Sequence, residues 1–148
     1  MVSRLLLMCA LATGAVTPAH AQQATSCAKA DFEAVVDSAA AALRNLNQKN
    51  RPVFQEKLRE LKGKRGWSDD QFMKEAAPLV KDAKTDALDG VSSTMLAKIT
   101  AMGEAGAAAK SPDCALMTEL NGYMQQLVTA QTDKWTYLFE KLSAEMAK

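Results

Sequence analysis

Chemistry at neutral pH usually needs a group that titrates there, or a nucleophile with a base beside it, and this chain offers little of either. Its single histidine, His20, lies within the first 21 residues. Those residues have the pattern of a secretory signal: Arg4, a mostly apolar run over 5–16, and the small-x-small sequence Ala19-His20-Ala21 before Gln22. Cleavage there leaves a working chain of residues 22–148 with no imidazole. Ser-His-Asp and Cys-His systems are then excluded, as are histidine-bearing zinc, copper and haem sites, and no C-x-x-C-H haem attachment occurs. The remaining acid/base candidates are carboxylate pairs four residues apart, Glu33 with Asp37 and Asp82 with Asp86, a spacing equally common on solvated helices. No catalytic residues are assigned. The calcium-loop pattern D-x-[DN]-x-[DN]-G is also missing, so neither a metal nor another cofactor is expected.

Removing the first 21 residues also removes Cys9, leaving Cys27 and Cys114 in a chain bound for an oxidising compartment. They are not a C-x-x-C pair, and the expectation is one structural disulfide between them.

Two groups of residues are candidates for recognition. The first is a basic and aromatic tip made by Lys62, Lys64, Arg65 and Trp67, with Tyr137 from the last part of the chain. From Lys49 to Arg65 seven basic residues stand against two acidic ones, while Asp69 to Asp89 holds six acids and three lysines. Such a tip suits an acidic protein or an anionic envelope component. The second is a polar layer: Gln131 interrupts an apolar stripe between Leu127 and Trp135, and Arg44, Asn47, Asp86 and Asp89 fall at about the same level. A polar side chain at a core-like position needs a partner, and such layers fix helix register or line a small pocket.

The elements that must position these residues are helical, because apolar spacings of three and four recur and period-two alternation does not. The first arm starts near Ser26 as N-cap and shows Phe32, Val35, Val36, Ala39, Leu43 and Leu46 on one face. It is expected to break near Pro52 and resume with Phe54, Leu58 and Leu61 up to Gly63. Ser68 and Gln71 form a capping box, flanked by the hydrophobic staple of Trp67 and Phe72. The second arm runs from there through Ala76, Leu79, Ala83, Ala87, Val91, Met95, Ile99 and Met102, with a kink near Pro78, and frays after Gly103. Ser111 and Pro112 restart the chain as N-cap and first helical residue. Met117, Leu120, Met124, Leu127, Leu138 and Leu142 carry the third arm.

The arms have similar length, about 55 to 60 Å each at 1.5 Å per residue. Short connections make successive arms antiparallel, so the first and third begin at one pole, where the two cysteines lie. The predicted fold is therefore all-α: an elongated antiparallel bundle of three long arms in a single domain, residues 22–148, tied by one disulfide. Phe54, Trp67, Phe72, Trp135, Tyr137 and Phe139 gather towards the opposite pole.

Composition bounds the function. Of the 148 residues, 48% are hydrophobic and 24% charged, an ordinary globular balance. The formal charge of +1 is too small for a protein that holds nucleic acid by neutralising phosphates. No apolar run beyond the signal reaches the roughly 20 residues that span a bilayer. The reading that follows is a non-enzymatic periplasmic or secreted interaction module whose partner is an envelope protein or an anionic envelope component. A carrier of a small or apolar ligand, held among Met95, Met124 and Leu127, is the alternative. A secreted helical enzyme is the third.

Overall fold

The computed structural model describes residues 27–111 and 113–148. The expected export signal with its expected cleavage site, the expected Ser26 N-cap and Pro112 lie outside the described residues. Among the described residues the regular elements are α1 (Lys29–Arg65), α2 (Asp69–Val80), α3 (Ala83–Ala108) and α4 (Cys114–Ala147). The chain is all-α, and Cys27 and Cys114 are joined by a disulfide with Cα atoms 5.0 Å apart. α4 packs along both α1 and α3, whereas α1 and α3 meet each other only sparsely.

The first arm is not broken at Pro52, for α1 runs straight through it over 37 residues. Proline removes one backbone donor and crowds the preceding turn, at a cost of about 3 kcal/mol. Here its ring is exposed, while Phe54, Leu58 and Leu61 on the next turns are buried. Burying large apolar side chains is worth about 1.5 to 3 kcal/mol each, so their packing outweighs the local penalty. α1 ends at Gly66, whose φ of 64° is the left-handed conformation glycine tolerates. Its N–H donates to the Gly63 carbonyl and that of Trp67 to the Lys62 carbonyl, the paired bonds of a Schellman motif.

The capping box at Ser68 forms as the sequence implies. The Gln71 N–H donates to Ser68 Oγ at 3.3 Å, and the Ser68 N–H donates to Gln71 Oε1 at 2.9 Å. Trp67 and Phe72, the two residues of the expected staple, both pack on the same core cluster. The second arm then divides, and it does so at Lys81 and Asp82 rather than at Pro78. Asp82 is extended and starts α3: the Thr85 N–H donates to its carboxylate at 2.9 Å, and its own N–H donates to Thr85 Oγ1 at 2.7 Å. This break resets the helix phase. The stripe expected through Ala83, Ala87 and Val91 faces outward, and Thr85, Leu88 and Ser92 turn inward instead.

α3 continues past Gly103 as far as Ala108. Gly106 lies against the Phe32 ring, where an added Cβ would sit 3.1 Å from the nearest ring carbon. Its bare backbone allows α1 and α3 to touch at the disulfide pole. The N-cap of α4 is Asp113, not Ser111; its carboxylate accepts the Leu116 N–H at 2.9 Å.

The core falls into two clusters. Near the disulfide, Ala39, Ile99, Leu120, Met124 and Leu127 are buried, with Phe32, Leu43, Met95 and Met102 against them. Towards the other pole Phe54, Leu58, Leu61, Ala76, Leu79, Leu138 and Leu142 form the second cluster, edged by Trp67, Phe72, Trp135, Phe139 and Met146. Phe54 meets Trp135 and Phe139 edge to face, with ring centroids 5.9 and 5.5 Å apart.

Candidate functional site

Between the two clusters three polar side chains of α4, on Gln131, Lys134 and Trp135, bond to neighbouring helices. Gln131 Nε2 donates to Ser92 Oγ at 2.7 Å, and the Ser92 hydroxyl donates in turn to the Leu88 carbonyl at 2.9 Å. Lys134 Nζ reaches both carboxylate oxygens of Asp89 at 2.6 and 2.7 Å. On the α1 side, Trp135 Nε1 donates to Asn47 Oδ1 at 3.1 Å. A polar girdle thus ties α4 to both flanking helices; of the expected Arg44, Asn47, Asp86, Asp89 and Gln131 it holds Asn47, Asp89 and Gln131 but not Arg44 or Asp86. Arg44 is exposed, and Asp86 is exposed and pairs with Lys81 at 3.8 Å. The phase reset at Asp82 moved Asp86 outward and brought Ser92 in. Ser92 and Lys134 were missed because each looks like ordinary surface residue chemistry until the helix phase is known.

A second cluster fastens the break between α2 and α3. Asp82 caps Thr85 with one carboxylate oxygen, while the other accepts from the Tyr137 hydroxyl at 2.7 Å and from Lys141 Nζ. Lys141 also donates to the Pro78 carbonyl, and Lys84 lies over the Tyr137 ring at 4.0 Å. Lys141 first, then the Thr85 N–H and the Tyr137 hydroxyl, hold the Asp82 carboxyl well below the usual carboxylate range. The same contact with Asp82 pushes the Tyr137 hydroxyl up. This geometry removes Tyr137 from the expected tip. It points to a latch at the α2–α3 junction, about 12 Å along α4 from the residues that meet the tip.

The tip cations are likewise engaged within the fold. Lys62 pairs with Asp69, lowering the Asp69 carboxyl, and lies 5.7 Å from the Phe72 ring centre. Lys64 donates to the Met146 carbonyl; Arg65 donates to the Glu145 carbonyl at 2.9 Å and meets its carboxylate at 3.5 Å. These carbonyls belong to the last turn of α4, which lacks helical partners and carries partial negative charge. Glu145 itself is held low, chiefly by Lys148 and then by Arg65. Trp67 is half-buried on the aromatic cluster. The loop is therefore a clasp that joins the ends of α1, α2 and α4.

The carboxylate pairs do not converge either. Glu33 pairs with Lys29 at 3.7 Å, and Asp82 and Asp86 are committed to different lysines. Among the described residues no group of three or more His, Cys, Asp or Glu side chains could hold a metal ion, and no buried side-chain donor or acceptor lacks a partner. Met124 and Leu127 are packed into the core with Met95 against them, so they do not line an enclosed chamber. What opens beside them is a surface groove of about 460 Å³ between α1 and α4, with Val35, Ala39, Met124 and Val128 in its wall.

One flank of the molecule is left uncommitted. From Ser38 to Gln55 the chain has no acidic residue but carries Arg44, Lys49 and Arg51 and the amides Asn45, Asn47, Gln48, Asn50 and Gln55. Arg44, Gln48, Arg51 and Gln55 follow at intervals of four, three and four residues, which places them on one side of α1. All four are exposed, and none makes a hydrogen bond or ion pair among the described residues. Farther along, Arg59 is occupied by Glu56 at 2.6 Å. The acid-free stretch was open to view in the sequence; only the structure separates its free cations from those of the clasp. In comparisons with known proteins, no family model, no curated protein and no solved structure matches this chain.

Proposed function

We propose that the protein is a non-enzymatic helical interaction module of the periplasm or the secreted space, and that its partner is an anionic component met by the basic flank of α1. The observation that carries this reading is the pair of exposed cations Arg44 and Arg51 on one side of α1, which have no ion-pair partner among the described residues. The clasp residues Lys62, Lys64 and Arg65 serve internal contacts, so the contact surface moves from the tip to the shaft. An oxidising compartment agrees with the Cys27–Cys114 bridge. Among the described residues no helix is long and apolar enough to cross a membrane.

The test is retention of anionic partners by the immobilised, oxidised protein across a salt series. The panel comprises an acidic protein fraction, phosphatidylglycerol vesicles and a carboxylated polymer. Retention that fades with added salt and is lost in Arg44→Glu/Arg51→Glu is the expected result. Failure to retain any anionic partner at low salt would overturn the reading.

A further inference from the structure

The make-up of the same flank narrows the partner, on the premise that the anionic reading above holds. Arg44 and Arg51 are seven residues apart, as are Gln48 and Gln55. Seven residues advance a helix by about 10 Å and bring it back within about 20° of the same direction. The flank therefore presents guanidinium and carboxamide groups alternately along a nearly straight line, in the order Arg44, Gln48, Arg51, Gln55. The exposed amide of Asn45 lies beside it, and Asn47 is fixed by Trp135 at its inner edge.

Each residue type selects for chemistry. A guanidinium presents parallel N–H donors that fit the two oxygens of a carboxylate. A carboxamide both donates and accepts, which matches a hydroxyl, itself donor and acceptor. A line that alternates the two fits an extended polymer bearing carboxylates among hydroxyls, and the interval between its arginines is of the length of two joined sugar residues. The bilayer alternative lacks support on this surface. The large apolar side chains of this part of α1 turn inward, and Val53 is set well round the helix from the line, so no apolar edge borders the arginines for insertion among lipids. The carboxylates of Asp86 and Asp89 on α3 are taken up by Lys81 and Lys134. The geometry points to a linear carboxylated polysaccharide as the occupant, lying along α1 from Arg44 to Gln55.

Binding of the oxidised protein to polygalacturonate tests this, with uncharged dextran and phosphatidylglycerol–phosphatidylcholine vesicles as comparison probes. The expected result is salt-sensitive binding to polygalacturonate and none to dextran. Arg44→Gln/Arg51→Gln should weaken it at least about tenfold, whereas the charge-matched Lys74→Gln/Lys110→Gln should leave it within about twofold. Arg51→Lys, which keeps the charge but loses the planar fork, should weaken it about threefold or more. All three variants change exposed side chains, and unaltered thermal unfolding confirms that each is folded. Polygalacturonate binding that ignores Arg44 and Arg51, or that Arg51→Lys leaves unchanged, overturns the inference. So does retention of vesicles or acidic proteins without polygalacturonate, although that outcome leaves the anionic reading standing. Silence from every anionic probe overturns both.

Discussion

Ser92→Ala, combined with Gln131→Leu, tests whether the polar girdle is a matched pair or two independent surface contacts. Ser92 is only 6% exposed and is the acceptor for the Gln131 amide at 2.7 Å. Removing the hydroxyl leaves a half-buried amide without its partner, a penalty of about 1 to 2 kcal/mol, towards the low end because Gln131 can partly turn to water. For a domain of this size that lowers Tm by about 3 to 8 °C. Gln131→Leu behaves differently, because the Ser92 hydroxyl keeps its bond to the Leu88 carbonyl and the new side chain lies between Leu127 and Leu138. Its cost should be under about 1 kcal/mol. In the double variant both polar groups are gone and the two apolar clusters can join, so stability should recover by about 1 kcal/mol relative to the sum of the single changes. Equilibrium urea unfolding of the four proteins measures that coupling. A sum that is additive within error refutes the claim that the two residues act as a pair. If the layer also sets register, the double variant should keep its helicity and lose near-ultraviolet ellipticity, since an all-apolar seam no longer selects one alignment.

Three further outcomes follow from the geometry. Replacing both Cys27 and Cys114 by Ser opens a loop closed across 87 residues and should cost about 4 kcal/mol, read as a lower urea midpoint; an unchanged midpoint would deny the bridge any role in stability. Gly106→Val should destabilise by about 1 to 3 kcal/mol in thermal melts, because even a Cβ stands 3.1 Å from Phe32, whereas Gly90→Val meets no neighbour and should change little beyond helix propensity. Asp82 has a folded-state pKa below its ordinary value of 3.8, so its contribution is complete above that value and is lost as pH falls through it towards the folded value. Urea midpoints followed from pH about 6 down to about 2 should therefore fall less steeply in Asp82→Asn than in the parent, and identical slopes would contradict the latch.

The local signals that proved legible are those whose physics is short-range. Ser68 and Gln71 cap α2 as the sequence implies, because both partners of each bond lie within one turn. Pro52 misled for the same reason in reverse: its penalty is local, and the compensation from Phe54, Leu58 and Leu61 comes from other helices. The polar layer was legible as a need, since Gln131 interrupts an apolar stripe, but its partner was not. One irregular pair, Lys81 and Asp82, resets the phase at the start of α3, so the inward positions extrapolated to Ala83, Ala87 and Val91 give way to Thr85, Leu88 and Ser92, whereas Met95, Ile99 and Met102 stay on the core side. Tyr137 was placed with the tip by sequence distance alone, whereas its hydroxyl bonds to Asp82, on a different helix boundary.

Amino-acid order by itself determined that the described chain is helical, that its cysteines meet, and that aromatic side chains concentrate away from them. Periodicity, turn residues and arm length suffice for those conclusions, because each depends on neighbours in the chain or on how far a rod of given length must reach. Which charges are free was decided only in three dimensions. Lys62, Lys64 and Arg65 are as basic as Arg44 and Arg51, yet they are taken up by Asp69 and by the last carbonyls of α4, groups brought near them by packing. Neutralisation acts over a few ångströms of space whatever the separation along the chain, and so it was the fold, not the order of residues, that left Arg44 and Arg51 on α1 without an ion-pair partner among the described residues.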